Sequence, residues 1–153
     1  MTVMLRRIVL VLTCALSIVG VGSQTATAQP GTQSDLVALT GQGAGRVLIA
    51  PTRADQGTFA AQITVNVHGA AQDTSFTIAR AADLVADGIC TGTAFAPFPG
   101  AVLTTSGGGA GATHIDFHRG APFVSGVSFD VIFQVAGDDG SVLQSSCMTV
   151  TVT

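Results

Sequence analysis

The chain has 153 residues, with 6 Arg and no Lys against 9 Asp and no Glu, for a formal net charge of −3. Only 10% of residues are charged and 47% are apolar, which excludes a disordered polyampholyte and a long solvated helix. Six cations make no basic footprint for nucleic acid, and a chain of this length supports one domain.

The amino end reads as a targeting segment. Arg6 and Arg7 form a positive lead, Ile8 to Val21 is an apolar run of about 14 residues, and Ala26-Thr27-Ala28 makes a small-x-small cleavage site before Gln29. The run falls short of the roughly 20 residues that span a bilayer. The pattern predicts a secretory signal peptide over 1–28 and one domain over 29–153, secreted or periplasmic and cell-envelope associated, without membrane insertion after cleavage. Arg6-Arg7 lacks the polar lead-in of a twin-arginine signal. Thr13 before Cys14 does not suit a lipoprotein cleavage box, and the apolar run continues past it.

Without the leader, 125 residues carry 4 Arg and 9 Asp. Cys90 and Cys147 are then the only thiols, and an even count in an exported chain predicts one structural disulfide. Closing a loop of that span stabilises by roughly 4 kcal/mol in the chain-entropy account.

The period along the rest is two. Candidate strands in chain order are Leu36–Thr40, Arg46–Ala50 and the long alternation Phe59–His68, in which Phe59, Ala61, Ile63, Val65 and Val67 share one face. Thr74–Arg80 follows. Ala81–Asp87 has some helical character, enough for one or two turns, before Gly88. Ile89–Phe95, Ala101–Thr105 and Thr113–His118 are shorter candidates. Val127, Phe129, Val131, Phe133 and Val135 restore the beat, as do Met148, Val150 and Val152. Gly41-Gln42-Gly43, Gly69 to Asp73, Gly107 to Gly111 and Asp138-Asp139-Gly140 supply the turns. Seven to nine short strands predict an all-β antiparallel sandwich of immunoglobulin-like type, with a small closed β-barrel as the alternative. Cys147 has the opposite parity from Met148, so without a bulge the bridge lies off that strand's core face.

Val65-Asn66-Val67-His68-Gly69, Thr74-Ser75-Phe76-Thr77-Ile78 and Asp87-Gly88-Ile89-Cys90-Thr91-Gly92 together resemble a pattern of small exported bacterial β-sandwich proteins. The likeness covers roughly 57–93 and its motifs are structural. It implies an exported β-sandwich and carries over no activity and no catalytic residue.

Among chemical candidates, His114, Asp116 and His118 share one face of a strand, two imidazoles and a carboxylate that could contribute to a Zn or Cu site. Residues i and i+4 are about 13 Å apart on a strand, however, and His68, the remaining His, also points outward. Gly107 to Gly111 precedes no Lys-Ser/Thr, so it reads as an inter-strand loop and no cofactor is expected. Asp83 with Asp87, and Asp138 with Asp139, lack the ligand spacing of a calcium loop and suit turns or caps. Without Glu, Lys or Tyr, and without a Gly-x-Ser-x-Gly elbow, no catalytic site assembles. Arg80 ends a strand and Arg119 precedes a turn. A salt bridge to Asp is the simpler expectation for each, an anionic ligand the other. The function that follows is a non-catalytic exported module acting by surface contact with a protein or glycan partner, the alternative being metal binding at His114, Asp116 and His118. Intact-mass measurement of the exported protein is expected to give an unlipidated chain starting near Gln29; a retained leader would overturn the cleavage assignment.

Overall fold

The structure, a computed structural model, describes residues 31–52, 57–92 and 94–152. The leader expected over 1–28 and Arg53 lie outside them. The described residues hold nine strands and no helix: β1 Thr32–Thr40, β2 Ala44–Thr52, β3 Phe59–His68, β4 Ser75–Asp83, β5 Ala96–Thr104, β6 Gly111–Arg119, β7 Ser128–Gly137, β8 Val142–Ser145 and β9 Met148–Thr151. Among them no helix is long and apolar enough to cross a membrane.

All pairings are antiparallel, as the alternation predicts. The strands form one sheet in the order β5-β4-β7-β8-β1-β2-β3-β6, with β9 continuing beside β7. The sheet curls on itself into a nearly closed, barrel-like arrangement, the second of the two all-β architectures expected. Its inner face carries the core: Val47 and Ile49 from β2, Ile63, Val65 and Val67 from β3, Phe76 and Ile78 from β4, and Phe133 and Val135 from β7 are all buried. At roughly 25 cal/mol per Å² of apolar surface, this interior is the main favourable contribution to folding.

The two ends of the strand order, β5 and β6, meet through the glycine-rich turn. Ser106 N–H donates to the Ala110 carbonyl and Gly109 N–H to the Ser106 carbonyl, both at 2.8 Å. Ala70 N–H donates to the Gly109 carbonyl at 3.1 Å, tying this turn to the one after β3. Gly109 has φ +70°, and a Cβ built there would stand 2.3 Å from the Ala70 carbonyl oxygen. The residue is therefore required twice over, by backbone angle and by close approach.

Three local readings change. Ala81–Asp87 is not helical, because β4 continues through Asp83 along β7, pairing Asp83 with Asp130; sheet pairing overrides the helical propensity of its alanines. The described residues of Ile89–Phe95 form no strand, and Cys90 among them is held by its disulfide rather than by a ladder. The neighbouring strand starts at Ala96 instead, and runs through Pro97 and Pro99. Proline is tolerated there because β5 is an edge strand with an irregular ladder to β4, its register shifting between Thr77 and Ala79.

A second irregularity concerns the cysteine. The register slips by one residue between Gln134↔Gln144 and Val131↔Met148, so Ser145–Cys147 forms a β-bulge between β8 and β9. Ser145 Oγ accepts the Phe133 N–H at 2.9 Å, replacing the lost ladder bond. Cys147 thus lies off both strands and pairs with Cys90 at a Cα separation of 5.5 Å, within the ordinary disulfide range. The bridge fits an oxidising, extracellular-type environment.

Gly109→Ala is expected to destabilise by about 2–4 kcal/mol through its angle and the clash with Ala70. Gly107→Ala, where a Cβ would meet nothing within 4 Å, should change stability by no more than about 0.5 kcal/mol. Denaturant unfolding of the two variants checks the contrast; equal effects would overturn it.

Candidate functional site

The inward beat of two strands ends on a cation. In β4, Phe76 and Ile78 point into the core and Arg80 takes the next inward position. In β6, Ile115 and Phe117 point inward and Arg119 follows. The register then sets their neighbours: Arg80 stands opposite Phe133 on β7, and Arg119 opposite Phe59 on β3. Both arginines therefore arrive at the same end of the barrel.

Six of the eight phenylalanines gather there. Phe98 packs edge-on to Phe117 at 5.5 Å between ring centroids and lies stacked near Phe133 at 5.9 Å. Phe59 meets Phe117 and Phe129 edge-on, and Phe129 meets Phe123 at 4.8 Å. The β5 irregularity contributes, because the bulged stretch around Gly100, at φ +74°, is where the chain turns Phe98 inward. The Arg80 guanidinium carbon lies 4.4 Å from the Phe98 centroid and 5.1 Å from that of Phe117, a double cation–π contact.

These side chains wall a cavity of about 180 Å³, open to solvent on one side. Its floor is aliphatic and aromatic, with Ile49, Ile63, Val131 and Phe133. Its mouth includes the exposed Ala94, Ala96 and Arg119. Among the described residues the lining contains both arginines and no carboxylate. Burial under the rings, and then the like charge of Arg119, hold the Arg80 pKa below the usual arginine value. Arg80 Nη1 donates to the Ala96 carbonyl at 3.0 Å and more weakly to that of Pro97 at 3.4 Å. The expected salt bridges are not formed: among the described residues the sole ion pair is Arg46–Asp35, at 3.2 Å on the exposed face of β1 and β2.

The loop leading to Ala94 is tied down at several points. Asp130 is fully buried, and its carboxylate accepts Gly88 N–H at 2.6 Å and Thr149 Oγ1–H at 2.5 Å, joining the loop to β7 and β9. Asp83 accepts Val85 N–H at 3.1 Å and Thr91 Oγ1–H at 2.5 Å. The disulfide adds a covalent tie at Cys90. Of the paired aspartates, Asp83 thus closes this loop, while Asp87 accepts Ile89 N–H within it. Asp139 caps the β7–β8 turn through Ser141 N–H and Oγ–H.

The outward face of β6 looks different. His114, Asp116 and His118 are all exposed, spread along the strand opposite Thr64, Gln62 and Ala60. His114 Nδ1 shares a hydrogen bond with Thr64 Oγ1 at 3.0 Å. Among the described residues no three His, Cys, Asp or Glu side chains converge on a point where an ion could sit. His68, at the far end of β3, lies beyond the register of that trio.

The phenylalanine cluster is what sequence reasoning missed. A signal existed, since Phe76-x-Ile78-x-Arg80 and Ile115-x-Phe117-x-Arg119 both carry an arginine on a core beat. Their convergence, however, depends on pairings between strands far apart in the chain. Compared with models of protein families, with characterised proteins and with solved structures, the chain matches none.

The Asp83 contacts generate a pH dependence. The Thr91 hydroxyl, and then the Val85 amide, hold the Asp83 carboxyl below the usual carboxylate range. Its contribution is fully present above the unfolded value of about 3.9 and is lost as pH falls through the lower folded value. Protection of the Val85 amide against hydrogen exchange, corrected for intrinsic rate, should be flat from about pH 7 to pH 5 and decline below about pH 4. In Asp83→Asn the acid-dependent decline should vanish; its persistence would assign the effect to another group.

Proposed function

We propose that this chain is a non-catalytic module, exported to the envelope or beyond, that binds a small molecule in the cavity at the phenylalanine-lined end of the barrel. The observation that carries this reading is the cavity itself. It is a half-open hollow of about 180 Å³ whose walls, among the described residues, are nearly all apolar, with two arginines as the charged groups. Largely apolar concavities with a few convergent polar groups are where small ligands bind. The size suits a compact ligand, since a dry cavity of about 150 Å³ accepts benzene.

Binding is favoured over catalysis by the lining's chemistry. Two guanidinium groups orient and stabilise charge, but they serve poorly as nucleophile or general base near neutral pH. The signal-peptide pattern of the first 28 residues and the Cys90–Cys147 bridge support export.

Titration with small neutral aromatics such as toluene and 2-phenylethanol, followed by methyl NMR, tests the reading. Shifts should concentrate on Ile49, Ile63 and Val131, and Ala96→Leu at the mouth should weaken binding at least about fivefold while leaving the fold intact. Scattered or absent methyl shifts would overturn a binding role for this cavity.

A further inference from the structure

We infer that the cavity's ligand is a small organic anion: a carboxylate on an apolar body of about one ring, the carboxylate meeting Arg80 and Arg119 and the body lying among Phe98, Phe117 and Phe129. This inference rests on the binding reading above and adds the ligand's charge and class.

Three observations carry it. Both arginines occupy inward positions of their strands, where the pattern otherwise places apolar residues. Among the described residues no carboxylate lines the cavity and neither arginine has an ion-pair partner. A surface arginine without a partner would be unremarked, but here the two cations share one hollow that rings partly screen from water. Arg80 is also held in place rather than free to swing out. Phe98 and Phe117 flank its guanidinium and the Ala96 carbonyl fixes Nη1. A guanidinium has five N–H donors, and the Ala96 and Pro97 carbonyls take only those on Nη1. The remaining donors form the planar fork that matches a carboxylate.

The two arginines also repel each other, and that mutual effect contributes to the lowered Arg80 pKa. An anion between them removes the repulsion and gains charge-assisted hydrogen bonds at once. A cation would meet the opposite outcome. A neutral aromatic gains only the ring contacts.

The same apolar body with and without charge separates these cases. Phenylacetate, 2-phenylethanol and acetate are titrated into the disulfide-intact protein by calorimetry and methyl NMR. Phenylacetate should bind at least about tenfold more tightly than 2-phenylethanol and than acetate. Its affinity should fall as NaCl rises from about 20 to 500 mM, while that of 2-phenylethanol holds. Arg119→Gln, at an exposed position that does not threaten folding, should remove most of the preference and leave the neutral ligand's affinity within about twofold. Equal binding of phenylacetate and 2-phenylethanol would overturn the anion assignment while leaving the cavity's binding role standing. Failure of both aromatic probes to shift Ile49, Ile63 and Val131 would overturn the two together. A charge preference that survives Arg119→Gln and Arg80→Gln alike would place the anion elsewhere and overturn the inference.

Discussion

A single antiparallel sheet with one apolar face has nothing to bury that face against except itself. This constraint governs the rest of the molecule. Among the described residues there is no helix to cover the sheet, so the strands must curl until β5 and β6 come together. Glycines permit close approach between neighbouring segments. A Cβ at Gly45 would meet the Asn66 carbonyl oxygen at 2.1 Å, and the Gly109 turn passes against Ala70. Closure also explains why β5 can be irregular. A strand at the seam has one ladder rather than two, so it tolerates prolines and a bulge that a central strand would not.

Curling fills the middle of the barrel more readily than its ends. Midway along the strands, Val65, Val47, Ile78 and Val135 interdigitate and exclude solvent. At the end where β3 and β7 begin and β4 and β6 finish, larger rings take over and leave a hollow. That end is also cross-linked. Asp130, Asp83 and the disulfide all hold the 84–92 loop, which runs on toward Ala94 and Ala96 at the mouth. Hydrogen bonds to a buried carboxylate are worth about 1.5–3 kcal/mol each, and the bridge adds a constraint on the unfolded chain. The hollow is therefore bounded by a fixed rim, which reduces the ordering cost any ligand must overcome.

Local pattern made much of the fold legible. The alternation from Phe59 to Val67 and from Val127 to Val135 follows directly from one face meeting a core, and it located β3 and β7 nearly to the residue. The cysteine parity was legible in part: Cys147 breaks the beat of Met148, Val150 and Val152, while the bulge at Ser145–Cys147 shows only in the register. What stayed hidden depends on partners distant in sequence. Ala81–Asp83 has helical composition but lies against β7, and no local rule reveals that neighbour. The cavity is the extreme case. Its walls come from β2 through β7 and two connecting loops, so its existence follows from a strand order in which β4 and β7, or β3 and β6, are adjacent. The arginines on core beats were visible; their meeting was not.

Strand β6 carries two opposed chemistries, and physical setting decides between them. Outward, His114, Asp116 and His118 face water with their neighbours on one exposed strand. Two unit charges 4 Å apart interact by about 1 kcal/mol in water and about 4 kcal/mol at an effective dielectric near 20. Groups on the outer face work at the weak end of that range and are screened further by salt. Inward, Arg119 shares its face with Phe117, and Arg80 lies between two rings with part of its hydration removed. Each charge-assisted contact there gains from the lower dielectric. The same desolvation makes the Arg80 cation costly to the free protein, offset in part by ring contacts of about 0.5–2 kcal/mol. A fold needing only stability would fill the Arg80 position with leucine or valine, as it does at Leu103 and Val65. Arg80 therefore has no account in packing alone, and supplying negative charge beside it is the role left for the proposed ligand.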